Sequence, residues 1–164
     1  MFQGKIRIAF LIAVIALSVA AQAFAQGQGC IVLKSVAEIE QEVVNDKGDK
    51  SKKLVPVTKA VPGVEVIWTV TAQNTCKQPS EQVKIDNAVP AHMTYVPNSA
   101  VGPGSDITFS VDGKTYASAA DLTVVENGAT RVARTDEYQH IRWVLKDPLA
   151  PGAQAMARFR AVLN

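Results

Sequence analysis

From residue 64 to residue 163 the chain alternates apolar and polar positions in short runs, and Pro, Gly, Asn and Asp separate the runs. The clearest run is 64–73. Val64, Val66, Trp68, Val70 and Ala72 fall on one face and Glu65, Thr69, Thr71 and Gln73 on the other, with Ile67 the exception. A period of two with one apolar face is the signature of a half-buried strand. Ile141, Trp143 and Leu145 repeat it against Arg142 and Lys146. Ala155, Ala157, Phe159, Ala161 and Leu163 repeat it against Gln154, Arg158 and Arg160. Shorter strands are expected at 83–86, 93–96 and 122–125. Ile107 to Val111 runs into an Asp112-Gly113 turn and out through Thr115-Tyr116, which reads as a hairpin. Strands at this spacing, with no convincing long helix, predict a two-sheet antiparallel β-sandwich.

The 31–44 segment alternates more loosely. Ile39, Val43 and Val44 stand among Glu38, Glu40 and Glu42, and the pattern favours an extended strand over a short amphipathic helix. Asn45 to Lys50 is a turn by composition, and 52–59 returns as a second strand. Lys47, Lys50, Lys52 and Lys53 face the three glutamates across this hairpin. Cross-strand charge pairing is preferred to an anion-binding cluster there.

The start of the chain has a different character. Lys5 and Arg7 precede an apolar run, 8–21, and Ala23-Phe24-Ala25 supplies small residues at −3 and −1. This is the form of a secretory signal peptide cleaved after Ala25, with Gln26 as the mature start. The run is short for a membrane anchor, which needs about 20 apolar residues. Residues 27–29 lack the Leu-containing box for lipid attachment at Cys30. The expected organisation is a signal peptide at 1–25, an N-terminal strand hairpin at 26–60 and a sandwich domain at 61–164.

The chain carries 17 basic and 15 acidic side chains. Lys5 and Arg7 account for the excess, so the mature chain is balanced and has no basic face of the kind a nucleic-acid partner requires. Export places Cys30 and Cys76 in an oxidising compartment, where a disulfide between them is expected. In the chain-entropy model a loop of that length contributes roughly 4 kcal/mol, less any strain. Free thiols are the alternative, and a C-x-x-C redox motif is absent.

From Val61 onward the order of signals resembles the conserved bacterial repeat domain catalogued as domain of unknown function 11. The matching pieces are Pro62-Gly63 before a strand with an aromatic, Asn74 at the T-x-x-N-x-G turn, and Asp86-Asn87-Ala88-Val89-Pro90. They continue with Met93 to Ser99, Asp112-Gly113-Lys114-Thr115-Tyr116, Ile141-Arg142-Trp143 and Leu149-Ala150-Pro151-Gly152. Cys76 replaces the usual small residue after the Asn turn. The resemblance implies an immunoglobulin-like sandwich on exported or cell-surface proteins, without established enzymatic activity. This chain holds one copy.

Candidate chemistry is sparse. His92 and His140 are too few for a zinc site, which needs three or four ligands. Asp106, Asp112 and Asp121 lack calcium-loop spacing. Ser99, Ser105 and Ser110 have no nucleophile-elbow context. The stretch Ser110 to Tyr116 is one residue short of an Asp-box turn, itself a structural hairpin. No catalytic set, cofactor site or metal site is expected. Trp68 and Trp143 fall on apolar faces, so Tyr116 and Tyr138, placed in loops, are the candidate ligand-contact aromatics. The expectation is an exported, non-enzymatic structural or interaction module of the cell envelope, periplasmic or at the cell surface. Its partner is an unidentified protein or surface polymer, and an oligomer is possible. The alternatives are a carbohydrate-binding module, for which an exposed aromatic platform would speak, and a subunit of a strand-exchange assembly, for which an N-terminal strand docked on a neighbour would speak.

Overall fold

A computed structural model of the chain describes residues 29–44 and 48–164. The expected signal peptide, its cleavage site and the Asn45-Asp46-Lys47 turn lie outside the described residues. Ten strands follow in order among the described residues: β1 (Ile31–Val44), β2 (Lys50–Pro56), β3 (Glu65–Asn74), β4 (Lys84–Ala88), β5 (Met93–Tyr95), β6 (Ser105–Ser110), β7 (Thr123–Glu126), β8 (Ala129–Val132), β9 (His140–Leu145) and β10 (Gln154–Leu163). A 3₁₀ turn spans Thr135–Glu137. One sheet has the order β2-β1-β3-β10-β5, a second β4-β9-β6, and β7-β8 is a separate ribbon. Every pairing is antiparallel.

The alternation read in the sequence decides which side of each strand is buried. Val70, Ala72, Ala157, Phe159 and Ala161 from the first sheet meet Ile85, Phe109, Ile141 and Trp143 from the second in one core cluster. Ala157 and Ala161 leave room for large rings opposite. The Phe159 ring lies 6.3 Å from Trp143 and 6.4 Å from Trp68. Trp143 is fully buried and donates its indole N–H to the Val101 carbonyl at 3.1 Å. Gly102 follows directly, and a Cβ there would collide with the Trp143 ring. Trp68 is half-buried, and its Nε1 has no hydrogen-bond partner.

Ile67 broke the pattern because it points to the outer face of the first sheet, yet it is only 2% exposed. Its cross-strand neighbour is Arg160, whose guanidinium reaches Glu65 at 2.7 Å and Glu40 at 3.5 Å. On its other side Ile67 faces Glu38 of β1, so neighbouring strands flank it on both sides.

The architecture is an antiparallel β-sandwich, but the connectivity departs from the immunoglobulin order. An immunoglobulin constant domain places strands A-B-E-D in one sheet and C-F-G in the other. Here β10, the last strand, lies between β3 and β5 in the place of strand E, and β6 lies beside β9 in the place of strand G. Periodicity identifies strands but not their partners, so the order of turn signals could not expose this exchange.

Local expectations changed in three places. The return arm after Asp112-Gly113 is a single bridge, Phe109 to Ala117, and not a strand. The Asn127-Gly128 turn closes a hairpin whose second arm, β8, was not expected. Strand β2 begins two residues earlier than expected and ends at Pro56, where a proline cannot donate to a further ladder. The N-terminal segment is an extended strand, and its charges pair across the hairpin as expected: Lys50 with Glu42 at 2.9 Å and Lys52 with Glu40 at 3.0 Å.

Candidate functional site

The two candidate aromatics have different fates. Tyr138 is 4% exposed, with its ring 4.6 Å from Phe109 and 5.8 Å from Tyr95. The 3₁₀ turn at Thr135–Glu137 directs the chain inward, and Tyr138 caps it with its N–H on the Thr135 carbonyl. Burial pushes its hydroxyl above the ordinary tyrosine range. The expectation of an exposed loop tyrosine is therefore corrected: Tyr138 is part of the buried core.

Tyr116 remains near the surface, on the outer side of the second sheet. Arg142 of β9 places its guanidinium carbon 3.6 Å from the Tyr116 ring centroid, a cation–π contact. The same guanidinium donates through Nε and Nη2 to the two carboxylate oxygens of Asp86, directly across on β4. Asp86 holds Arg142 charged, while partial burial and the Asp86 charge push the Tyr116 hydroxyl up. One ring face of Tyr116 is thus occupied, and its guanidinium neighbour is already paired.

Beside this cluster the 110–115 turn is closed by its own side chains. One oxygen of Asp112 accepts from the N–H groups of Lys114 at 2.8 Å and Thr115 at 2.9 Å and from the Ser110 hydroxyl at 2.9 Å. Those donors, Thr115 first, hold the Asp112 carboxyl down at about 2. Gly113 has φ +71°, and a Cβ there would lie 2.8 Å from the His140 Nε2. Only glycine combines that left-handed backbone with so close an approach. Asp112 therefore does turn chemistry.

His92 and His140 line a shallow cleft of about 400 Å³ between the 88–93 turn and the start of β9, with Met93, Asp136 and Tyr138. His92 adopts φ +63°, and its carbonyl accepts the N–H of Asn164 at 2.8 Å. Among the described residues no group of three or more His, Cys, Asp or Glu side chains is placed to hold a metal ion.

The third region is the seam between β1 and β3. Cys30 and Cys76 form a disulfide with Cα atoms 5.2 Å apart, as expected from the sequence. The Thr75 N–H and hydroxyl both reach the Cys30 carbonyl at 2.8 Å. One residue earlier lies Asn74, fully buried. Its Nδ2 donates to the Gln78 and Leu149 carbonyls, each at 2.8 Å, and its Oδ1 accepts the Cys76 N–H at 2.9 Å. The sequence marked Asn74 as a turn residue and gave no sign of its long-range bond. A further network was missed. Arg131 joins Glu126 at 2.6 Å and Glu137 at 2.7 Å, and Arg131 with the Arg134 N–H brings the Glu137 carboxyl down to about 2. Opposite charges five and six residues apart could have suggested it, but it takes the β7–β8 turn to bring Glu126 to Arg131 and the Thr135–Glu137 turn to bring Glu137.

Comparison with protein-family models, with curated proteins and with solved structures finds no match.

Proposed function

We propose that this chain is an exported, non-enzymatic structural or interaction module of the cell envelope, akin to a single copy of the bacterial repeat domain it resembles. The observation that carries the reading is the Cys30–Cys76 disulfide. Structural disulfides persist in oxidising compartments and are rare where thiols are kept reduced. The bridge also sits four residues beyond the expected mature start, where it ties down the strand that cleavage would leave as the new N-terminus. No helix among the described residues is long and apolar enough to cross a membrane. The polar residues that do converge, Asp86 with Arg142 and Asp112 with its turn, satisfy one another.

The test is fractionation of cells expressing the full chain with a C-terminal tag, followed by N-terminal sequencing and thiol alkylation. The expected product lies outside the cytoplasm, begins at Gln26 and takes up no alkylating reagent without reduction. A cytoplasmic product that retains residues 1–25 and two reactive thiols would overturn the reading.

A further inference from the structure

All fifteen residues of the buried core cluster lie at position 70 or later, and none comes from β1 or β2. The hairpin contributes Ile31 and Leu33, which are partly buried against that core. Within the sheets β2 pairs with β1 alone, and β1 reaches the body through its ladder with β3 over Ile31 to Glu38. The fully buried members of this core therefore come from β3 onward, and the first two strands add partly buried side chains at its margin. The hairpin covers one edge of β3, and an uncovered edge presents a row of unpaired N–H and C=O groups that accepts another strand.

Residues 58–63, which join the hairpin to β3, are exposed throughout. Fully extended, a linker of that size spans roughly 20 Å. The far end of the hairpin is fixed to the body by the Cys30–Cys76 bridge. The hairpin is thus held by one ladder, the packing of Ile31 and Leu33, an ion pair from Glu40 to Arg160 at 3.5 Å, one exposed linker and one covalent latch at its free end.

We propose that the 29–57 hairpin is an exchangeable element whose partner is β3 of a second copy of this chain, with the latch then closing between chains, Cys30 of one to Cys76 of the other. A second copy offers the same register, the same apolar contacts and the same cysteine, so exchange re-forms each ladder bond and costs chiefly the entropy of association. The intramolecular ladder competes at an effective concentration on the order of mM. Exchange accordingly belongs to crowded protein whose latch is still open. The closing step is balanced: two thiols give up two protons and two electrons to a small-molecule disulfide, which becomes two thiols. Each copy donates one hairpin and accepts one, so exchange ends in a closed dimer or continues as an open chain. This deepens the envelope-module reading and names its partner.

The experiment uses residues 26–164 prepared with light and with heavy nitrogen. Equal amounts are mixed and unfolded under reduction. They are refolded together at several concentrations in a mixture of reduced and oxidised glutathione. Proteolysis without reduction and mass spectrometry then read the peptide pair joined through Cys30 and Cys76. Pairs carrying one light and one heavy half, rising severalfold with protein concentration alongside dimers or larger species in light scattering, are the expected result. Pairs of uniform label at every concentration overturn the proposal, as do mixed-label pairs no commoner than Cys30–Cys30 and Cys76–Cys76 links, which mean random oxidation. If refolding is poor, folded batches incubated together in the same redox buffer give the same readout. A cytoplasmic location in the fractionation test would overturn the export reading and leave this result intact.

Discussion

The Asn74 side-chain amide donates to the Leu149 carbonyl at 2.8 Å, across 75 residues of sequence and with no exposure to solvent. The same amide group holds the 74–78 turn through the Gln78 carbonyl and the Cys76 N–H. The Asn74 backbone is also paired, its N–H with Ala153 and its carbonyl with the Gly152 N–H. One residue therefore joins the loop after β3 to the loop before β10, beside the disulfide. Asn74→Ala removes three hydrogen bonds, although the Leu149 carbonyl keeps the Ser80 N–H. It also empties the space of a fully buried side chain, so the loss is about 2–4 kcal/mol. Urea unfolding of residues 26–164 measures it, and a change below about 1 kcal/mol would show that water replaces the amide.

The two tryptophans make a contrasting pair. Trp143 is fully buried with its N–H on the Val101 carbonyl, whereas the Trp68 N–H is buried without a partner. Trp143→Phe removes a satisfied bond and opens space in the centre of the core, at a cost of about 2–4 kcal/mol. Trp68→Phe removes an unsatisfied donor and retains a ring beside Phe159, so stability moves by less than about 1 kcal/mol. Thermal unfolding of both variants decides it. Equal losses would refute the assignment of Trp68 as unpaired.

Much of this fold was legible in the alternation itself. The faces of β3, β9 and β10 were readable because each has one buried side. The expectation of an oxidising compartment pointed to Cys30 with Cys76. Three things were not legible, each because it depends on contacts distant in sequence. The exchange of β6 and β10 relative to the immunoglobulin order lies in pairing partners, which periodicity does not encode. The burial of Ile67 arises between Glu38 and Arg160 on the two neighbouring strands. The inward turn of Tyr138 comes from a 3₁₀ turn whose residues look like an ordinary polar loop. Of the candidate site, the sequence supplied Tyr116 but not the Arg142 and Asp86 that occupy it.

The opposite fates of Tyr138 and Tyr116 predict opposite responses to truncation. Tyr138→Ala empties a site between Phe109 and Tyr95 and costs about 3–5 kcal/mol, as for other buried aromatic rings. Tyr116→Ala forfeits the contact with Arg142, worth about 0.5–1 kcal/mol at an exposed position. Chemical denaturation of the two variants checks this. A loss at Tyr116 as large as that at Tyr138 would mean that the outer cluster, and not the core, organises the second sheet.

The final prediction concerns acid. Asp112 and Glu137 both have carboxyls held at about 2 in the folded protein, against values of about 4 in an unfolded chain. A carboxyl whose folded value is depressed contributes stability that is fully present above the unfolded value and is lost as pH falls towards the folded one. Stability should therefore be level from neutral pH down to about 5 as far as these groups are concerned, then fall between about pH 4 and pH 2. Asp112→Asn keeps an acceptor for the Lys114 and Thr115 N–H groups but cannot titrate, so the fall should be shallower, and the Glu137 share should remain. Unfolding free energies measured from pH 7 to pH 2 test the sign directly. Parallel profiles for the variant and the parent would remove Asp112 from the account, and a loss beginning above pH 5 would point to a different titrating group.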